Sequence, residues 1–228
     1  MLNLYVGFDP RTEIGFHAFV SSVLHNTSVP VSITPLSQSR MSFWKTGQRD
    51  GTNDFTYGRF LVPWLNGFTG WALFADGSDM LVLSDLAELW SLRDPYKAVQ
   101  VVKHTYSTKH AKKYRGSLME AINEDYVRKN WSSLMLVNCS HFSWRDLTPD
   151  VVGTMSGSDL QAFKFIPIAK HLGELPLEWN WLCDEYGENP EAKLLHWTTG
   201  IPAFPQYANA PMADEWARSA LRVNHVTP

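Results

Sequence analysis

Two carboxylates close a long apolar run in Trp71-Ala72-Leu73-Phe74-Ala75-Asp76-Gly77-Ser78-Asp79, and a second apolar run, Met80-Leu81-Val82-Leu83, follows at once. A Gly-Ser turn this tight can aim both side chains at one point, and hard oxygen ligands there suit Mg²⁺ or Mn²⁺. The plain alternative is that Asp76 and Asp79 only shape the turn. Much later, Leu194-Leu195-His196-Trp197-Thr198-Thr199-Gly200 places a histidine at the end of another apolar run. Its imidazole is a candidate third ligand, with nitrogen favouring Mn²⁺ over Mg²⁺, or a structural histidine. Arg59 stands among Phe55, Phe60 and Leu61. A guanidinium in such company needs a partner, either a carboxylate of the protein or a ligand phosphate.

These residues must be held by a scaffold, and its elements are legible. Leu2 to Phe8 reads as a buried strand stopping at Asp9-Pro10, residues 13–25 as a helix with Ile14, Ala18, Ser21 and Ser22 at helical spacing, and Val31 to Leu36 as a second strand. Phe55 to Leu65 reads as helix, Trp71 to Ala75 as a buried strand, and Leu86 to Trp90 as a short helix. Ala98 to Lys103 and Ser133 to Val137 are further strands, and Met212 to Leu221 is amphipathic. Alternation of this kind predicts an α/β sheet with helices on both faces, and places chemistry just after Phe8 and Phe74, at the carboxyl ends of strands. The polar segment 37–53 reads as a loop able to order over a substrate, and with 105–130 it is expected to decide acceptor choice.

Composition narrows the function classes. A chain of 228 residues with 44% hydrophobic residues supports one substantial core, so residues 1–228 are expected to form a single domain. A formal net charge of -3 gives no basic surplus for nucleic acid. Cys139 and Cys183 make neither a disulfide framework nor a zinc motif. No stretch matches a membrane span and the first residues lack a basic leader, so a cytoplasmic location is expected. Ten tryptophans beside 12 Phe and 8 Tyr hint at carbohydrate, because aromatic faces stack on sugars as well as filling cores. Trp179, Trp181 and Trp197 are the candidates for an acceptor platform. The basic run Lys109, His110, Lys112, Lys113 and Arg115 reads as a solvated face or as a cover for a diphosphate.

Taken in order, Val6-Gly7-Phe8-Asp9, Phe55-Thr56-Tyr57-Gly58-Arg59-Phe60, the Asp76/Asp79 turn, Val101-Val102-Lys103-His104, residues 131–139, Leu175-Pro176-Leu177-Glu178-Trp179-Asn180 and His196-Trp197-Thr198-Thr199-Gly200 carry a family likeness. The chain resembles the retaining glycosyltransferases of family 8, the glycogenin-like and lipopolysaccharide-galactosyltransferase-like group, and most nearly a bacterial and phage branch of short proteins. The resemblance implies a GT-A fold with a mixed, mostly parallel central sheet. It implies transfer of a hexose from a UDP-sugar to a saccharide, a lipid-linked saccharide or another hydroxyl acceptor, with retained configuration. It places Mn²⁺, with Mg²⁺ as the alternative, on Asp76, Asp79 and His196. It gives Arg59, Asp76 and Asp79 to catalysis, and Phe8, Asp9, Arg11, Arg59, Asp76 and Ser78 to the donor. Asn138, Trp179 and Asn180 go to the sugar and acceptor pocket. Two departures stand out: two residues rather than one separate the carboxylates, and Gly200-Ile201-Pro202-Ala203-Phe204 lacks the lysine that meets the diphosphate in many members. They keep open a catalytically silent sugar-binding or nucleotide-sugar-binding protein of the same fold. A sugar-1-phosphate nucleotidyltransferase is the other alternative, although Val6 to Arg11 is not the glycine-rich phosphate loop such enzymes open with.

Overall fold

The computed structural model describes residues 1–44 and 53–223. The expected substrate loop at 37–53 thus falls in part, at residues 45–52, outside the described residues. The chain runs β1 (Leu2–Gly7), α1 (Glu13–Asn26), β2 (Val31–Leu36), α2 (Val62–Leu65), β3 (Trp71–Ala75), β4 (Met80–Val82), α3 (Leu86–Ser91), β5 (Val99–Val101), β6 (Lys112–Lys113) and β7 (Ala121–Ile122). It continues through β8 (Leu134–Asn138), α4 (Pro149–Thr154), α5 (Gly157–Gln161), β9 (Leu172–Glu174), β10 (Trp181–Leu182), α6 (Cys183–Tyr186), β11 (Leu194–His196) and α7 (Ala213–Val223).

Six strands form the central sheet in the order β2-β1-β3-β8-β5-β9, with β8 antiparallel to both β3 and β5 and the other pairs parallel. The sheet is therefore mixed and mostly parallel, as expected. Successive side chains leave opposite faces of a strand, so apolar runs that do not alternate with polar residues must be covered on both sides. Leu4, Val6, Leu73, Ala75, Leu134 and Leu136 join Phe16 and Phe19 of α1 in one core. Tyr5, Phe74, Met135 and Val137 face the other way and pack with Phe60, Val152 of α4 and Leu160 of α5. Each fully buried Leu, Val or Phe contributes about 1.5–3 kcal/mol, which is what holds the two layers to the sheet.

Two local readings are corrected. The buried face of α1 is Gly15, Phe16, Ala18, Phe19, Ser22 and Val23, whereas Ile14 is 55% exposed. Gly15 matters because a Cβ there would lie 1.9 Å from the Ser78 carbonyl oxygen, so α1 rests directly on the Asp76–Asp79 turn. Residues 55–65 are not one helix but a turn, a 3-10 helix at Gly58–Leu61 and then α2. Gln38 Oε1 accepts from the amides of both Tyr57 and Gly58, and Pro63 brings no amide of its own; together they favour two short pieces over one continuous helix.

A smaller sheet, β10-β11-β4, sits beside the first, with β11 antiparallel to β4 and His196 opposite Met80. The outer edge of β4 is closed by side chains of α1: Ser22 Oγ accepts from the Val82 amide, and Asn26 Nδ2 donates to the Val82 carbonyl. The β6-β7 hairpin is a third, two-stranded unit. No helix among the described residues is long and apolar enough to cross a membrane.

Candidate metal and donor site

The Asp76–Asp79 turn links the central sheet to the small one. The Asp76 amide donates to the Ser133 carbonyl at 2.8 Å and the Ser78 amide to the Asp76 carbonyl at 2.7 Å. Gly77 takes φ +71°, and a Cβ on it would stand 2.2 Å from Val6 Cγ1, so only glycine lets the chain reverse this close to β1. The Trp197 amide donates to the Asp79 carbonyl at 2.9 Å, which locks the end of β11 against the turn. As a result one ligand atom from each of Asp76, Asp79 and His196 lies within 4.8 Å of the others. Among the described residues no other group of three or more His, Cys, Asp or Glu side chains has this arrangement.

The three side chains are aimed by their neighbours. Ser133 Oγ donates to the Asn130 carbonyl, Asn180 Nδ2 donates to Ser133 Oγ at 2.9 Å, and His196 Nδ1 lies 3.0 Å from Asn180 Oδ1. Followed from the carbonyl, this chain of donors has one consistent direction, which puts the histidine proton on Nδ1 and leaves Nε2 as the free ligand atom. Nε2 faces Asp79 Oδ1 at 3.6 Å. Asp79 Oδ2 accepts from the Tyr114 hydroxyl at 3.3 Å, while Asp79 Oδ1 and Asp76 Oδ1 are buried without a hydrogen bond. Arg59 Nη1 stands 2.7 Å from Asp76 Oδ1 as an ion pair, off the hydrogen-bond axis. Arg59 Nε donates to the Thr56 carbonyl at 2.9 Å and Nη1 also donates to the Ser132 carbonyl at 3.0 Å, and the guanidinium lies over Phe55 and Phe74.

Electrostatics follow from this enclosure. Burial first, then the charge of Asp79, push the Asp76 carboxyl up to about 6, against the pull of Arg59. Burial works against a charged His196, yet the Asp79 carboxylate outweighs it and carries the imidazole above its ordinary value. Two buried carboxylate oxygens without hydrogen bonds, plus an imidazole nitrogen of fixed tautomer, form a donor set that fits a divalent cation.

The cluster opens into a cavity of about 430 Å³, which Arg59, Lys113, Tyr114, Lys129 and Gln161 also line. Arg59, Asp76, Asp79 and His196 thus meet in one place, with Asn180 directly behind the histidine and fully buried. Another cavity, of about 400 Å³ between α1, α7 and β4, holds Asn26, Lys193, Glu215 and Arg218 but no carboxylate and imidazole cluster.

Other expected site residues lie outside the main cavity. Phe8 packs edge-on against Phe16 and beneath Arg40. Asp9 accepts from the Arg11 amide and Nε, both at 2.9 Å, and from the Asp54 amide at 3.0 Å, and its second oxygen pairs with Arg11 Nη2. Burial opposes this carboxylate, but the bonds from Arg11 and Asp54 outweigh it and hold its pKa below the ordinary value. Ser78 is buried with its backbone against Gly15. Asn138 is a correction: β8 runs antiparallel to β3, so Asn138 pairs with Trp71, at the opposite end of the strand from Asp76. Trp179 is another, since it is buried in the core with Leu134 and Leu194 rather than presented to a sugar. Trp197 is likewise buried, and its Nε1 donates to the Pro211 carbonyl. Lys129 and Tyr114 were not singled out by sequence; both arrive through the 105–130 excursion, which has no long periodic element.

Against solved structures the chain aligns with the WbbM bifunctional glycosyltransferase at a TM-score of 0.68 and 15% identity, over 98% of this chain and 51% of that one. The glycosyltransferase GlyE of Streptococcus pneumoniae TIGR4 gives 0.61 at 12% identity, over 97% of this chain and 61% of that one. The galactosyltransferase LgtC, in complex with donor and acceptor sugar analogs, gives 0.61 at 12% identity, over 99% and 98%. The chain thus spans little more than half of the first two and nearly all of the third. Its fold is the GT-A α/β fold of glycosyltransferases.

No protein-family model matches the chain. The Arabidopsis thaliana protein CDI is 35% identical to it over 231 residues, 97% of this chain and 86% of that protein, and the chain belongs to the same family. That relative is a plant protein rather than a bacterial or phage one.

Proposed function

We propose that the chain is a metal-dependent glycosyltransferase, folded as one domain, that moves a hexose from a UDP-sugar to a hydroxyl acceptor with retention of configuration. The observation that carries this reading is the Asp76, Asp79 and His196 cluster, with its buried carboxylate oxygens, at the carboxyl end of β3 in a GT-A fold. Those three side chains would hold Mn²⁺, or Mg²⁺ in its place. A divalent ion bound there supplies Lewis-acid neutralisation of the charge that grows on a leaving diphosphate.

The remaining roles belong to the chain's own residues. Arg59 clamps Asp76, so it acts on the site through that carboxylate. Asn180 holds His196 in the tautomer that offers Nε2. Asn53 lines the cavity, and its neighbour Asp54 gives its amide to Asp9, so the nucleoside end of the donor is assigned to the Asn53 side of the cavity. The acceptor, a saccharide or lipid-linked saccharide, approaches past the 105–130 excursion.

The test is calorimetric titration of the purified protein with UDP, in Mn²⁺ and again in EDTA, followed by assay of UDP release from UDP-sugars. Metal-dependent UDP binding and release from a UDP-sugar are expected, and Asp79→Ala should remove both. Absence of binding in either buffer overturns the reading. Binding without any UDP release would instead point to a silent nucleotide-sugar-binding protein.

A further inference from the structure

We infer that Lys113 is the residue that grips the diphosphate of the donor, an assignment that rests on the glycosyltransferase reading above. The sequence offers a basic run from Lys109 to Arg115 with nothing to rank its members, and the β6-β7 hairpin ranks them. Neighbouring strand residues point to opposite sides. Lys112 is exposed and ion-paired with Glu120 at 2.6 Å, whereas Lys113 is half-buried and lines the cavity of Asp76, Asp79 and His196.

The next residue fixes the strand. Tyr114 is buried with φ +53°, its hydroxyl donates to Asp79 Oδ2, and its amide donates to the Thr199 carbonyl at 2.6 Å. Lys113 is thereby tied to the carboxylate turn on one side and to the turn after His196 on the other.

Three cations line the cavity, and two are committed. Arg59 is ion-paired with Asp76 through Nη1, which also donates to Ser132, and its Nε donates to Thr56. Lys129 Nζ donates to Asn123 Oδ1 at 2.9 Å and faces Asp125 at 3.3 Å. Among the described residues Lys113 Nζ has no hydrogen bond and no ion pair; it stands 5.9 Å from the Tyr114 ring centroid. An ammonium held partly out of water and without a protein partner is better satisfied when an anion meets it. Burial accordingly holds its pKa below the ordinary lysine value.

The charge balance points to the same ligand. Arg59, Lys113 and Lys129 face Asp76, Asp79 and Glu124 around the cavity, so the lining alone is close to neutral. A divalent ion would leave it positive, and a diphosphate with its two ionised oxygens would restore neutrality where a bare sugar would not. The cation missing from the turn after His196 is in this way supplied from a different part of the chain.

The experiment is calorimetric titration of Mn²⁺-loaded wild type, Lys113→Ala, Lys113→Arg and Lys112→Ala with UDP. Each variant is also titrated with Mn²⁺ alone, and its fold is checked by circular dichroism. Loss of one charge-assisted contact should weaken UDP binding by Lys113→Ala about 10- to 100-fold. Lys113→Arg should recover most of it, and Lys112→Ala should match wild type. Lys113→Ala should hold Mn²⁺ alone at least as tightly as wild type. If wild type binds UDP and both Lys113 variants bind it equally well, the assignment to Lys113 fails and the glycosyltransferase reading stands. If wild type binds no UDP, both fail. Should Lys113→Ala not fold, Lys113→Gln takes its place with the same expectations.

Discussion

Replacing Arg59 by methionine separates two roles for this residue, a clamp on Asp76 and a direct contact to ligand. Arg59 and Asp76 are 5% and 8% exposed, so the substitution strips a buried carboxylate of its nearest countercharge. Removing one partner of such a pair costs about 3–5 kcal/mol. In a chain of this length each kcal/mol moves the melting temperature by about 2–4 °C, so a drop on the order of 10 °C is expected. The loss should depend on pH, with a definite sign. Asp76 has a folded value of about 6, raised from 3.8, so its contribution favours the fold in acid and is lost as pH rises from about 4 to about 6. Without Arg59 the folded value moves higher still, and the loss continues into neutral and alkaline solution. The deficit of Arg59→Met relative to wild type should therefore be larger at pH 8 than at pH 5, and adding Asp76→Asn should recover part of it. Thermal and urea unfolding in EDTA, followed by tryptophan fluorescence at both pH values, measure this. A variant as stable as wild type at pH 8, or a deficit equal at the two pH values, would refute the clamp.

Asn180→Leu should lower Mn²⁺ affinity about 10- to 100-fold with little change in secondary structure, because His196 loses the acceptor that fixes its tautomer; unchanged affinity by calorimetry contradicts that role. Mn²⁺ affinity should rise between pH 5.5 and 7.5, since Asp76, near 6, and His196, raised above 6.5, must both give up protons to the cation. A flat profile in direct metal titrations would count against these ligands. Gly77→Ala should destabilise the fold by at least about 1–2 kcal/mol in urea unfolding, through its left-handed backbone and the clash with Val6; a neutral result would mean that the turn can relax.

The carboxylate turn and its flanking strands were legible because an apolar run that stops at Asp-Gly-Ser-Asp is both a buried-strand pattern and a turn pattern. His196 was legible for the same reason. Asn138 was misplaced by a property that no local pattern records: β8 is reversed within an otherwise parallel neighbourhood, and reversal sends its last residue to the far side of the sheet. Residues 55–65 read as a helix because their apolar spacing fits one, but the contacts that break it come from Gln38, distant in sequence. Trp179 carries no mark to separate a core ring from a sugar platform. Lys113 and Lys129 sit in two-residue strands and turns, where charge is visible but direction is set by pairing with the rest of the fold.

The pairing of β11 with β4 has a consequence for how the protein is made. Asp76 and Asp79 emerge from the ribosome long before His196, and the inner edge of β4 stays unpaired until β11 arrives. During that interval two carboxylates destined for burial face solvent, and the strand beside them carries open amides and carbonyls. One edge of β4 is already shielded by Ser22 and Asn26 of α1, which leaves a single direction of growth and reserves it for β11. The same event that completes the small sheet brings the imidazole to the carboxylates, so an immature chain cannot assemble this candidate cation site ahead of its fold.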